Sequence, residues 1–256
     1  MHPVVVLAGG LGTRVAHLTG PDVPKALLPL DGRAFVDFKL AGLAAQGVTD
    51  VVMLVGHGAG PLREHVGDGR RFGLQVAFVD DGPALRGTAG AIRAALDRIT
   101  GDFWVTYGDT LLDVPMAGVE ARLAREPELL GVMTVLANRD RWETSNVDVE
   151  RDVDGGLVVA YEKGGTPGAH VFIDYGMLLF RRAAFDGSAD DSPDGPADLG
   201  DLVRALIGRR RLGAFEVSER FHDVGTEAAW RETDEWVRTR GLWSELERAI
   251  AGRGGA

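Results

Sequence analysis

Between residues 3 and 107 strand-length apolar runs alternate with segments of helical spacing, and few architectures accept that order. PVVVLA (3–8), VVMLV (51–55), LQVAFV (74–79) and FWVTY (103–107) are short, apolar and rich in valine and aromatic residues, as strands are. Between them, FVDFKLAGLAAQG (35–47) has helical spacing at Phe35, Phe38 and Leu43 and ends at Gly47. Residues 60–66 form a second helical stretch, and Gly87-Thr88 open an alanine-rich third with Ile92, Leu96 and Ile99 on one face. Apolar strands spaced by helices predict an α/β fold, with a mainly parallel sheet covered by helices on both faces.

After about residue 130 the pattern changes. LLGVMTVL, TSNVDV, LVVAYE and HVFIDYGMLLF read as strands with few helices between them, which predicts a small antiparallel extension. Asp152-Val153-Asp154-Gly155-Gly156 reads as a turn, and GSADDSPDGPAD (187–198) as a polar loop. A long helix is expected from Thr226 to about Ile250, with Thr226 as N-cap. Its Trp230, Trp236 and Trp243 suit core packing and a homodimer interface equally well. No internal repeat is present, and 256 residues suit one domain.

Composition removes several functions. With no cysteine there are no disulfides, thiolate nucleophiles or Cys-ligated zinc. A formal charge of −10 opposes nucleic-acid binding, which depends on many Lys and Arg contacts to phosphate. The apolar runs fall far short of the ~20 residues that span a bilayer. MHPVVVLAGG has no basic region ahead of its apolar run, so a cytoplasmic protein with no membrane partner is expected. Of 28 basic residues only Lys25, Lys39 and Lys163 are lysine. A lysine kept in an arginine-rich chain is a candidate for a place where a compact ammonium and a planar guanidinium differ, chance retention being the equal alternative. Lys39, on a helix, is expected to be solvated.

The first strand delivers the chain to Gly9-Gly10-Leu11-Gly12-Thr13-Arg14, and Pro24-Lys25 follows. Glycines let backbone N–H groups close on an anion. A dinucleotide loop would need G-x-G-x-x-G, but position 15 is valine. A Walker A loop would need a lysine directly after its glycines, and none is there. A plain strand-to-helix turn leaves Arg14 and Pro24-Lys25 without a purpose.

L-A-G-G-x-G-T-R followed by P-K resembles the signature of the sugar-1-phosphate nucleotidylyltransferases. The resemblance covers roughly residues 3–235 and implies a Rossmann-like, GT-A-like nucleotidyltransferase fold in one catalytic domain. Its parts would be a nucleotide-binding core (1–130), a sugar-phosphate-binding part (131–225) and a C-terminal helix (226–250). It also implies two partners, a nucleoside triphosphate and a sugar 1-phosphate, with Mg2+ as cofactor and pyrophosphate as product. Leu7, Ala8, Gly9, Gly10, Gly12 and Thr13 would wrap the nucleotide, while Arg14 and Lys25 take its phosphates. LRGTAGAIRAAL (85–96) is similar to the family's base-contacting segment, which assigns Gly87 and Thr88 to the nucleotide. Asp109 in YGDT and Asp223 in FHDVGT match the family's two metal-binding aspartates. Glu162-Lys163 match its E-K pair, with glutamate on sugar hydroxyls and lysine on the sugar phosphate.

Asp174 and Gly176 align with a sugar-contacting N-x-G, aspartate replacing the family's usual asparagine. Short length, RGTAGA and RWETSNVDV (141–149) are most similar to D-glycero-D-manno-heptose 1-phosphate guanylyltransferases, which implies GTP and a heptose or related manno-configured sugar. The alternative is a uridylyl- or thymidylyltransferase acting on a hexose 1-phosphate. A GT-A glycosyltransferase would lack the paired G-G-x-G-T-R and P-K, and a non-catalytic nucleotide sensor would not need Asp109, Asp223 and Lys163 together. Asp152-Val153-Asp154 resembles a glycosyltransferase D-x-D, but two following glycines make it a hairpin turn.

Overall fold

Val4, Val5 and Val6 are at most 1% exposed, which is why the first strand, Val4–Ala8, is apolar on both faces rather than alternating. The computed structural model describes residues 1–10, 15–19, 23–56, 58–80, 87–151, 155–186 and 198–253. Gly12, Thr13, Arg14, the D-x-D and residues 187–197 of the polar loop therefore lie outside the described residues. The chain forms two compact units: residues 1–83, 107–111 and 221–256 in the first, 84–106 and 112–220 in the second.

In the first unit, Val4–Ala8 pairs in parallel with Asp50–Val55, and Asp50–Val55 with Gln75–Asp80. Helices Phe35–Ala45 and Gly60–Val66 make the crossovers that parallel strands require. Nine of the eleven residues of Phe35–Ala45 are buried, so this helix has no solvent face, and that decides the fate of its lysine below. Its buried Asp37 accepts hydrogen bonds from His65 Nε2 (2.8 Å) and Arg71 (2.7 Å).

The C-terminal segment is two helices, Glu227–Arg240 and Leu242–Arg253, not one. Gly241 sits between them at φ 61°, the left-handed conformation that ends a helix at its C′ position. Thr226 caps as expected, its Oγ1 accepting from Ala229 N at 3.2 Å. All three tryptophans pack against the chain's own cluster of Leu28, Leu30, Phe35, Phe38, Val224 and Val237. Trp243 meets Phe38 edge-on at 5.4 Å, and Trp236 stacks on His222 at 3.8 Å.

The second unit holds a mixed sheet in the order Phe103–Tyr107, Phe172–Phe180, Gly131–Ala137, Leu212–Val217, Leu157–Tyr161, Val147–Glu150. Phe172–Phe180 runs antiparallel to both neighbours, and Val147–Glu150 with Leu157–Tyr161 form the expected hairpin. Leu212–Val217 adds a parallel pairing with Gly131–Ala137 that the pattern of strands did not anticipate. Parallel strands need a crossover, and the helix Leu199–Gly208, equally unanticipated, lies in that connection. Asp198 caps this helix, Oδ1 accepting from Gly200 N at 2.8 Å.

The long strand Phe172–Phe180 carries a register shift between Asp174 and Leu178. Gly176 stands there at φ 94°, where a side chain would be strained. The Gly176 and Met177 carbonyls accept from the buried hydroxyls of Thr106 (3.0 Å) and Thr134 (2.6 Å). The bulge is thus a satisfied structure rather than a defect, and it sets the position of Asp174.

Candidate active site

The first unit gathers its candidate groups at the carboxyl ends of its strands, where open α/β sheets bind ligands. Gly9 and Gly10 follow Leu7 and Ala8 directly off Val4–Ala8. Two other strand ends press against this turn without side chains. A Cβ on Gly56 would lie 2.8 Å from the Gly9 carbonyl oxygen, and one on Gly108 would lie 2.8 Å from that of Leu7. Gly108 N donates to that same Leu7 oxygen at 2.9 Å. The glycine of the YGDT motif therefore serves close backbone approach, and Asp109 is placed one residue beyond it.

Asp109 and Asp223 are far apart in sequence but adjacent in space. The two-residue strands Thr110–Leu111 and His222–Asp223 pair antiparallel, with Asp223 opposite Thr110, and Val224 N donates to Asp109 O at 3.1 Å. Asp223 is held by its backbone oxygen, which accepts from Thr233 Oγ1 (2.7 Å), and by Oδ1, which accepts from Gly225 N (2.6 Å). Lys25 opens a single 3₁₀ turn behind Pro24, and its Nζ donates to Asp109 Oδ2 at 2.6 Å. A Cβ on Gly225 would stand 2.9 Å from Asp223 Oδ1 and 3.8 Å from Lys25 Nζ. Lys25, Asp109 and Asp223 thus form one cluster of a cation and two carboxylates.

This donor set fits a hard cation. Mg2+ is commonly held by one or two carboxylates, completing its shell with water and phosphate oxygens. Asp109 is 39% exposed, so its carboxylate is open to a ligand. Among the described residues no three His, Cys, Asp or Glu side chains converge, so protein groups alone would not complete the shell.

Lys39 is not solvated. It is 6% exposed, and its Nζ donates to Thr110 O at 2.8 Å, directly behind the aspartate bridge. Burial lowers its pKa from 10.5 to about 7, partly opposed by the charge of Asp109. A helix buried all round leaves a lysine no outward position, which the alternation of apolar residues did not reveal.

The second unit carries the remaining candidates. Gly87, at φ 67°, opens the helix Gly87–Ala95, and Thr88 Oγ1 accepts from Leu199 N at 2.8 Å. Lys163 pairs with Asp198, whose other oxygen caps the same Leu199–Gly208 helix. Thr88, Asp198 and Lys163 are therefore tied to one helix N-terminus. Glu162 follows the strand Leu157–Tyr161, with Oε1 accepting from Thr166 Oγ1 at 2.8 Å. Burial raises the Asp174 pKa from 3.8 to about 6, against the favourable hydrogen bond from Gly176 N at 3.0 Å.

Sequence reasoning missed Asn146. Its backbone oxygen accepts from Glu162 N (2.9 Å) and its Oδ1 accepts from Asp174 N (2.9 Å), so one residue sets both candidate sugar contacts. Its place inside RWETSNVDV was the available signal, although only the fold shows which backbones it joins.

The profile of the family described as "Nucleotidyl transferase" matches residues 3–239. The chain is similar to a D-glycero-alpha-D-manno-heptose 1-phosphate guanylyltransferase of Campylobacter jejuni, 28% identical over 62% of this chain and 67% of that protein. It is also similar to a glucose-1-phosphate thymidylyltransferase of Streptomyces antibioticus, 30% identical over 97% of this chain and 68% of that protein. The chain thus spans about two thirds of the length of each of these curated relatives. Among solved structures, the inositol-1-phosphate CTP transferase of T. maritima shares the fold at a TM-score of 0.74, with 19% identity and 96% of both chains covered. With the profile spanning nearly the whole sequence, the chain belongs to the nucleotidyl transferase family.

Proposed function

We propose that this chain transfers a nucleoside monophosphate from a nucleoside triphosphate to a sugar 1-phosphate. An oxygen of the sugar phosphate attacks the α-phosphorus, a new P–O bond forms, and the bond to the β-phosphate bridging oxygen breaks as pyrophosphate leaves. No covalent enzyme intermediate is needed. The observation that carries the reading is the meeting of Lys25 with Asp109 and Asp223 beside the Gly9-Gly10 turn. Family membership and the E-K pair at Glu162-Lys163 support it further.

Two polyanions repel, so the protein's task is to hold them together and neutralise charge that builds on the phosphates. Lys25 takes nucleotide phosphates, Arg14 the departing pyrophosphate, and Lys163 the attacking sugar phosphate. Asp109 and Asp223 hold a divalent cation. When bound, Mg2+ supplies Lewis-acid neutralisation of the triphosphate oxygens. Leu7 to Gly10, Gly12, Thr13, Gly87 and Thr88 receive the nucleotide, and Glu162, Asp174 and Gly176 the sugar.

The nucleotide proposed is GTP and the sugar a heptose or related manno-configured 1-phosphate. RGTAGA and RWETSNVDV support this, as does the likeness to the Campylobacter guanylyltransferase. A thymidylyl- or uridylyltransferase acting on a hexose 1-phosphate is the second reading, favoured by the match to the Streptomyces thymidylyltransferase over nearly the whole chain.

A matrix of nucleoside triphosphates against sugar 1-phosphates, with Mg2+, tests both. Pyrophosphate should appear only when both substrates are present, fastest with GTP and the heptose. Triphosphate hydrolysis without sugar, or no turnover anywhere in the matrix, would overturn the proposal.

A further inference from the structure

His170 stands between two carboxylates in the second unit, and the transfer reaction gives it no task. It lies just before the strand Phe172–Phe180, with its side chain 12% exposed. Nδ1 is 2.8 Å from Asp148 Oδ2, and Nε2 is 3.2 Å from Glu162 Oε2. Ionised carboxylates only accept hydrogen bonds, so both ring nitrogens donate and the ring is an imidazolium. The charged groups acting on it are all acidic: Asp148 on Val147–Glu150, Glu162 beyond Leu157–Tyr161, and Asp140, whose own carboxyl is lowered mainly by backbone N–H donors and slightly by His170. The hydrogen bond to Asp148 raises the His170 pKa most, burial opposes it, and Glu162 adds to the rise.

Glu162 is consequently fixed at both oxygens, by Thr166 Oγ1 on Oε1 and His170 on Oε2. Each oxygen retains a second lone pair, and at 47% exposure the carboxylate can receive hydroxyl donors without first reorganising. Asn146 holds the backbone of the same residue.

We infer that His170 is a positioning residue for the sugar 1-phosphate, its imidazolium bridging Asp148 to Glu162 so that the Glu162 carboxylate is preset for sugar hydroxyls. The inference rests on the proposed role of Glu162 as a sugar contact. Loss of the bridge weakens capture of the sugar phosphate and leaves the triphosphate half untouched. A neutral ring keeps one N–H, which serves the shorter contact to Asp148 and releases Glu162. The KM for sugar phosphate therefore rises with pH.

The test compares wild type with His170→Gln, Asp148→Asn and Glu162→Gln, each checked for a wild-type melting curve. The probes are GTP with D-glycero-D-manno-heptose 1-phosphate and dTTP with glucose 1-phosphate, assayed at pH 6.5 to 8.5. If neither pair turns over, calorimetry of the two sugar phosphates reads the same comparison. His170→Gln should raise the sugar-phosphate KM or Kd about tenfold, with kcat and the triphosphate KM within about twofold, and should abolish its pH dependence. If Glu162→Gln raises that constant while His170→Gln does not, the inference fails and the role of Glu162 stands. If Glu162→Gln also matches wild type, or wild type binds neither probe, the role of Glu162 falls and the inference with it. Ring 15N NMR of the ligand-free protein adds an independent check: a neutral His170 at pH 6.5 overturns the bridge.

Discussion

Replacing Lys39 by methionine sets two opposing effects against each other, and the structure says which is larger. Lowering the pKa from 10.5 to about 7 means that the folded state disfavours the ammonium by about 5 kcal/mol, at 1.36 kcal/mol per unit. At pH 7, where half the folded molecules have already released the proton, about 4 kcal/mol of that burden remains. Methionine keeps the unbranched stem and removes the charge. It also strands the Thr110 carbonyl, which Lys39 now serves at 2.8 Å, costing roughly 1–3 kcal/mol. Lys39→Met should therefore be more stable than wild type by about 2 kcal/mol at pH 7.

The pH dependence gives the sharper test. Because the folded-state pKa is the lower one, between about 7 and 10.5 the unfolded chain holds a proton that the folded chain has released. Wild-type stability therefore gains from this group as pH rises, by roughly 2 kcal/mol from pH 7 to pH 9. The variant lacks that gain, so its advantage should shrink nearly to zero by pH 9. Urea unfolding followed by tryptophan fluorescence measures both curves. Parallel wild-type and variant curves from pH 7 to 9 would refute the claim that a buried ammonium sits behind the aspartate bridge.

Three further outcomes are expected. Lys163→Arg should cut turnover at least tenfold despite keeping the charge, because a planar guanidinium cannot replace a compact ammonium on the sugar phosphate, and wild-type rates would remove the lysine from the site. Asp223→Asn should raise the Mg2+ concentration needed for half-maximal rate by an order of magnitude or more and weaken Mn2+ binding seen by electron paramagnetic resonance; unchanged Mn2+ affinity would take Asp223 out of the metal site. Asp174 has a folded-state pKa raised from 3.8 to about 6, so stability is lost as pH climbs through that window. Asp174→Asn should thus stabilise by about 3 kcal/mol at pH 7 in thermal or urea unfolding, with the gap closing toward pH 4, whereas a gap independent of pH would contradict burial as the cause.

The parallel sheet of the first unit was legible because Val4–Ala8 and Asp50–Val55 are largely buried on both faces and therefore almost wholly apolar, a pattern that survives without any knowledge of pairing, whereas the edge strand Gln75–Asp80 is only half-buried. The C-terminal break at Gly241 was missed because an isolated glycine in a helical pattern is compatible with continuation; packing of Trp236, Trp243 and Leu242 on one cluster decides for a turn. Leu199–Gly208 and Leu212–Val217 were not read from the pattern, and their identity comes from the crossover that a parallel pairing demands. Asn146 lies within RWETSNVDV and His170 in no motif, but only the hairpin and the strand Phe172–Phe180 bring them to Glu162.

The sequence by itself offered the candidate groups: a glycine turn and a lysine behind proline, and, through the resemblance to a family, two aspartates and an E-K pair. Tertiary structure alone decided what those groups and their neighbours pair with and which of them are buried. Whether Lys39 is solvated or buried, whether Asp174 ionises easily, and which donors hold Glu162 depend on desolvation and on distances of about 3 Å between residues far apart in the chain. Residue order does not contain those distances until strands pair and a lysine is left with no water to face.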